Sequence, residues 1–159
     1  MVDRAVESRQ PVKRHRIGAT DVHERLDIFV GTWHTVGEIL SGDEGPPRVL
    51  RAIDTYEWGA GGHFLVHHVD GDMGGHPVQA LEVIGWDPDR GDYFSHAYDN
   101  TGSVASYRAS LTELRWQILG AQERFDGQFS EDRHILRGQW ERLVDGCWTA
   151  WMTISLTRV

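Results

Sequence analysis

Short runs rich in Val, Ile, Thr, Tyr, Phe and Trp recur along this chain about every ten residues, with turn-forming residues between them. After Gly31 no window of twelve residues keeps the apolar spacing of a helix. The separating segments are rich in Gly, Asp, Asn, Pro and Ser, which supply the backbone conformations that turns need. The pattern predicts an antiparallel all-β protein.

We read ten strands from this pattern and one short helix before them. Thr20 and Asp21 provide a helix cap, and apolar residues at 22, 26 and 29 give a helical stripe over residues 20–30. The strands are expected near 32–40, 50–58, 63–70, 78–87, 92–99, 103–112, 114–119, 122–129, 134–143 and 148–157. Short loops favour an up-and-down meander, and closing it into a barrel removes exposed sheet edges.

Alternation along each strand predicts which side chains face the barrel interior. In the last strand Trp148, Ala150, Met152, Ile154 and Leu156 share one face, with Trp151 as the apolar exception on the other. The same counting places further residues inward, namely Trp33, Tyr56, Trp58, Tyr107, Leu111, Phe125, Phe129, Leu136 and Trp140. Such aromatic walls suit either a flat apolar ligand or simple core packing.

The hairpin around residues 88–91 determines the predicted faces of its two strands. A four-residue turn there pairs residue 87 with residue 92, so Val83 lies opposite His96 and Leu81 lies opposite Tyr98. We expect His96 and Tyr98 to face the cavity. If both rings lie on the outer wall instead, Glu82 takes their role.

Charge and hydropathy exclude several functional classes. Residues 1–16 hold five Lys or Arg against two Asp or Glu, whereas residues 17–159 hold eleven against twenty-two, so the body repels nucleic acid. No run approaches the roughly 20 apolar residues of a membrane span, and no apolar stretch near the N-terminus resembles a signal peptide. Cys147 is the one cysteine and cannot form an intramolecular disulfide. We expect a flexible basic segment at 1–19, a single barrel domain at 20–159 and a cytoplasmic location.

Several motifs resemble known barrels. Gly31-Thr32-Trp33 after a short helix is similar to the start of calycin-type barrels, which include lipocalins, fatty-acid-binding proteins and nitrobindins. From about residue 24 onward the chain resembles the bacterial DUF1579 family, through Gly62–His67, Met73-Gly74-Gly75, Glu82–Pro88, Tyr98-Asp99-Asn100, Gly138–Glu141, Asp145-Gly146, Trp151-Met152 and Leu156–Arg158. The resemblance implies a lipocalin-like barrel of about ten strands and supplies no catalytic residues.

Nine histidines raise the question of a metal or haem site. His63 and His67 share a strand face but lie about 13 Å apart, since a strand rises roughly 3.3 Å per residue, and His68 points to the opposite face. These three cannot bind one metal ion. The resemblance to nitrobindins implies a haem-binding His near the C-terminus, but the last histidine here is His134. We expect no metal, no haem and no other cofactor.

Polar residues within otherwise apolar strand faces are the candidate site. Alternation and the barrel interpretation select eight ligand-binding candidates: Tyr56, His67, Glu82, His96, Tyr98, Tyr107, Glu123 and Trp140. The expected function is binding of a small, mostly apolar molecule inside the barrel. The alternative is an isomerase, hydratase or cyclase that acts on a hydrophobic metabolite, with His96 or His67 as base and Tyr or Glu as acid. A third possibility is an interaction module whose cavity is filled by its own side chains.

The strand at 78–86 gives an expectation about assembly. Val78, Ala80, Ile84 and Trp86 occupy one face, and Leu81 and Val83 occupy the other, so neither face is polar. An apolar stripe on an outer wall is typical of a protein–protein contact. We therefore expect a homodimer that meets through Trp86 and its neighbours, with Glu82 beside the interface.

Overall fold

The computed structural model describes residues 21–40 and 48–159. The basic segment predicted at 1–19 lies outside the described residues. An α-helix α1 (Asp21–Glu24) continues into a 3₁₀ turn (Arg25–Ile28), and a second 3₁₀ turn covers Ala60–Gly62. The strands are β1 (Gly31–Ile39), β2 (Val49–Trp58), β3 (Leu65–Met73), β4 (His76–Asp87), β5 (Asp92–Asp99), β6 (Val104–Thr112), β7 (Arg115–Leu119), β8 (Glu123–Phe129), β9 (Ile135–Val144) and β10 (Cys147–Arg158).

The ten strands form one closed antiparallel barrel. Each strand pairs with the next along the chain, and β1 pairs with β10 to close the sheet. This confirms the predicted up-and-down barrel, including the pairing of Asp87 with Asp92. No helix in the described ranges is long and apolar enough to cross a bilayer.

The segment from α1 to Val30 closes one end of the barrel, and we call it the plug (residues 21–30). Leu26 and Phe29, both predicted on the apolar stripe, are 0% and 1% exposed. The Phe29 ring packs against Trp116 and Phe129, with ring centroids 5.0 and 5.1 Å away. The main hydrophobic core therefore lies at the plug end of the barrel.

A β-bulge places the side chains of the first half of β10 on the opposite faces from those predicted. Its pairing with β9 shifts between Ala150 and Met152, so Trp151 is an extra residue in the ladder. Trp148 consequently lies on the outer wall under the Arg124 guanidinium, 4.6 Å from the ring centroid, and Ala150 shares that face. Trp151 packs beside Met152 in the interior cluster. A bulge interrupts the alternation that strict counting assumes, and the inward faces predicted after it are correct.

The apolar stripe of β4 lies inside the barrel rather than on its outer wall. Val78, Ala80 and Ile84 line the interior, and the Trp86 ring packs edge-to-face on Tyr93 with centroids 5.0 Å apart. The expectation that this stripe lies on the outer wall is wrong, because these side chains face the interior and offer no surface to a second copy. The homodimer itself stays a prediction.

Candidate functional site

A cavity of about 230 Å³ occupies the barrel interior next to the core. It extends from Phe29 of the plug to Leu50 and Val78 near the opposite rim, and its walls are mostly apolar. Four consecutive strands add polar side chains to a single side of this wall: Thr35 from β1, Asp54 and Tyr56 from β2, His67 from β3 and Glu82 from β4. The cavity is therefore apolar with one polar side.

Sheet register explains why these polar groups meet. His67 lies directly opposite Tyr56 on one neighbouring strand and Glu82 on the other. Directly opposed residues point to the same face of a sheet. Asp54 lies two residues before Tyr56 and so shares its inward face, which brings its carboxylate to the edge of the imidazole.

The imidazole of His67 lies between two carboxylates. Nε2 is 2.6 Å from Oδ1 of Asp54, and the Thr35 hydroxyl donates a hydrogen bond to Oδ2 of the same carboxylate. Nδ1 is 3.5 Å from Oε2 of Glu82 and makes no hydrogen bond to any described residue. Asp54 and His67 are 4% and 8% exposed, so this is a buried ionic cluster.

Burial and the two carboxylates act in opposite directions on the pKa of His67. Burial lowers this pKa, but the hydrogen bond to Asp54 and the charge of Glu82 outweigh it and raise the pKa to about 9. The His67 ring is therefore an imidazolium at neutral pH, with a proton on each nitrogen. It stacks on the Tyr56 ring at a centroid distance of 3.9 Å and an angle of 9°. Burial and the nearby carboxylates raise the pKa of Tyr56 well above its usual value, so the phenol stays neutral.

Four of the eight residues predicted for the site line this cavity, namely Tyr56, His67, Glu82 and Trp140. Tyr107 and Glu123 also lie on inner strand faces, but nearer the rim opposite the plug and outside the cavity lining. The Tyr107 hydroxyl is 3.5 Å from Glu123, which accepts a 2.8 Å hydrogen bond from Nε of Arg142. Burial and Glu123 raise the pKa of Tyr107 to about 12.

His96 and Tyr98 lie on the outer wall, so the expectation that they face the cavity is wrong. The predicted pairing is correct, since His96 is opposite Val83 and Tyr98 is opposite Leu81. The inward face of β5 is instead the one that carries Ser95, which is 0% exposed, while Tyr98 is 46% exposed. Cross-strand pairing determines which residues share a face of the sheet, but not which of the two faces is inside the barrel. Because His96 and the opposite residue Val83 face outward, the neighbouring Glu82 points into the cavity.

Asp54 and Thr35 are cavity residues that the sequence interpretation missed. The sequence does contain a signal for Asp54, because it has the same strand parity as Tyr56 and Trp58, which alternation places inward. An acidic residue on an apolar face is a candidate for a buried pair. No comparable signal marks Thr35, since threonine is common on either face of a strand.

The buried cluster is not arranged as a metal site. Asp54 and Glu82 contact different nitrogens of the His67 ring, so the three groups do not converge on one point. Among the residues that the structure describes, no group of three or more His, Cys, Asp or Glu side chains could hold a metal ion.

A protein family and two solved structures are similar to this chain. The model of a family described as "Protein of unknown function (DUF1579)" matches residues 19–118. The chain is similar to the crystal structure of Rv2717c from M. tuberculosis, with a TM-score of 0.62 and 15% identity over 88% of this chain and 98% of that one. It is also similar to a de novo designed fluorescence-activating β-barrel, with a TM-score of 0.45 and 12% identity over 89% and 100% of the two chains. The likeness to Rv2717c shows a common fold. No curated protein matches the chain.

Proposed function

Because this chain belongs to the DUF1579 family, whose description gives no activity, we propose its function from the cavity itself: the barrel binds a small, mostly apolar molecule. The observation that carries the proposal is an interior space of about 230 Å³ beside a buried ionic cluster. A barrel that served only as a scaffold would be expected to fill this space with side chains, because protein interiors are normally close-packed. The occupant is smaller than drug-sized ligands, which fill pockets of about 300–1,000 Å³.

Native mass spectrometry of freshly purified protein tests this proposal, because a co-purified ligand appears as added mass. Calorimetric titration with 1-methylnaphthalene, a flat hydrocarbon probe, tests the cavity itself. Ala80→Phe places a ring in the cavity and is expected to abolish binding. Ala121→Phe makes the same change at an exposed turn and is expected to leave binding unchanged. The proposal would be contradicted if the wild-type protein showed no added mass and did not bind the probe.

A second candidate function is catalysis in the same cavity. The protein would then be an isomerase, hydratase or cyclase that transfers a proton to or from a hydrophobic metabolite. The observation in its favour is the His67 imidazolium between two carboxylates, because acid–base catalysis needs such groups in a partly dry pocket. With its raised pKa, His67 would act as the acid and Glu82 as the base.

Hydrogen exchange separates the enzyme from the binder. The co-purified ligand is incubated with the protein in D₂O and then analysed by mass spectrometry. Deuterium on carbon that appears with the wild-type protein, and not with His67→Gln, indicates catalysed proton transfer. A ligand that binds and gains no carbon-bound deuterium supports binding alone.

We also propose the cytoplasm as the compartment, since Cys147 is an exposed free thiol and thiols persist under reducing conditions.

A further inference from the structure

Two groups of the buried cluster face each other without a hydrogen bond. Nδ1 of His67 is buried and has no hydrogen-bond partner among the described residues, although Oε2 of Glu82 lies only 3.5 Å away. The His67 side chain is 10% exposed, and both residues line the cavity. Buried polar groups almost always have a partner, so this site calls for one more polar atom, from an ordered water or from a ligand group that takes the place of that water.

The other edge of the ring is already satisfied, which limits what the ligand can be. Asp54 accepts from Nε2, so Nδ1 is the ring nitrogen without a hydrogen-bond partner among the described residues, and Glu82 is the charged group beside it. At neutral pH the raised pKa of His67 makes Nδ1 a donor, and the carboxylate of Glu82 is an acceptor. The missing partner must therefore accept one hydrogen bond and donate another.

A hydroxyl group does both, since it has one O–H donor and two acceptor lone pairs. An oxygen can lie about 2.8 Å, a normal hydrogen-bond distance, from each of two atoms that are 3.5 Å apart. An ammonium group can only donate and is repelled by the imidazolium. A carboxylate can only accept and is repelled by Glu82.

We infer that the cavity recognises a small, mostly apolar molecule with one hydroxyl group, an alcohol or a phenol, which accepts a hydrogen bond from Nδ1 of His67 and donates one to Glu82. This inference rests on the proposed binding function and specifies its ligand class. The stacked Tyr56 ring holds the imidazole in plane, so the donor direction is fixed before the ligand binds. Such preorganisation lowers the entropic cost of binding.

Four probes of nearly equal size test the inference by calorimetric titration at pH 7: 1-naphthylmethanol, 1-methylnaphthalene, 1-naphthylmethylamine and 1-naphthoate. The alcohol is expected to bind at least tenfold more tightly than the hydrocarbon, and the amine and the acid more weakly than the alcohol. Glu82→Leu removes the acceptor and is expected to remove the advantage of the alcohol while the hydrocarbon still binds. Glu57→Leu makes the same change on the outer wall of β2, and this variant is expected to keep the tighter binding of the alcohol.

The outcomes separate this inference from the proposed function. If the hydrocarbon binds and the alcohol binds no better, the hydroxyl inference is overturned and binding in the cavity stands. Tightest binding of the amine or of the acid also overturns it, in favour of recognition by Glu82 or by the imidazolium alone. If none of the four probes binds, the hydroxyl inference is overturned, and the binding function is contradicted as well when native mass spectrometry shows no added mass. Because the wild-type panel decides the result, the inference stays testable even if Glu82→Leu does not fold.

Discussion

At the scale of single residues, burial decides the chemistry of the barrel interior. His67 and His68 are neighbours in β3, but His67 is enclosed between two carboxylates while His68 is exposed on the outer wall. The same side chain is therefore a buried imidazolium at one position and lies on the solvent-facing wall at the next. Sequence alone contains the alternation but not the partners, because Asp54 and Glu82 come from other strands.

The stability of the protein should depend on pH through His67. Its pKa is about 9 when folded, above the value near 6.5 of an unfolded chain, so its contribution is fully present below about pH 6.5 and is lost as pH rises through 9. The free energy of unfolding is expected to fall by up to about 3 kcal/mol over this range. Urea denaturation at pH 6, 7.5 and 9 measures it.

Two variants isolate the contribution of His67. His67→Gln keeps polar atoms at this position and should lose most of the pH dependence, whereas His68→Gln should behave like the wild type. Equal pH dependence in all three proteins would show that another group is responsible.

At the scale of elements, the plug is joined to the barrel by the last strand. Arg158 donates hydrogen bonds to the carbonyl oxygens of Val30 and Ile28 at 2.5 and 2.6 Å, and its guanidinium lies 4.2 Å from the centroid of the Trp33 ring. The indole of Trp33 donates to the carbonyl of Phe29 at 2.7 Å. These contacts satisfy carbonyl groups that the short plug cannot pair internally.

Arg158→Lys is expected to destabilise the protein by about 1–3 kcal/mol, since a point charge cannot bind two carbonyls and stack on a ring as a planar guanidinium does. Arg137→Lys, at an exposed position of β9, serves as the control and should change stability by less than about 0.5 kcal/mol. Chemical denaturation measures both. An equal effect of the two substitutions would contradict the role of Arg158 in holding the plug.

Paired glycines let β8 and β9 pass beneath an aromatic ring. Gly127 is opposite Gly138, and a Cβ at Gly138 would lie 2.4 Å from the Phe125 ring and 2.5 Å from the carbonyl of Asp126. Gly138→Ala is expected to cost about 1–3 kcal/mol in thermal or chemical denaturation, because the backbone atom cannot move aside. Gly37→Ala should cost less, since its nearest neighbour is the flexible Met152 side chain at 3.2 Å. The reverse order would contradict this explanation.

At the scale of the whole molecule, closure of the sheet decides which surfaces a partner can reach. The sequence predicts that the stripe containing Trp86 lies on the outer wall, but in the closed barrel this stripe faces the interior. The apolar side chains of this stripe therefore contribute to the core and are not available to contact a partner.

Trp86→Arg is expected to lower the free energy of unfolding by about 2 kcal/mol or more, because it moves a charge towards the core and removes the contact with Tyr93. The mass of the folded protein by light scattering should equal that of the wild type. A lower mass at an unchanged free energy of unfolding would indicate that Trp86 lies in an interface between two copies. Chemical denaturation and light scattering on the same samples distinguish the two results.

The sequence by itself determined the local features: ten strands, their turns, the antiparallel meander, the short helix and the pairing across residues 88–91. These follow from alternation and turn chemistry, which act between near neighbours. Only the tertiary structure decided which face of β4 and β5 is inside, and that the bulge at Trp151 exchanges the inward and outward faces of the first half of β10. It also decided that Asp54, His67 and Glu82 form one cluster. The physical reason is that alternation defines two faces without labelling either. Closing the sheet assigns one face to the interior, and only then can side chains from separate strands meet.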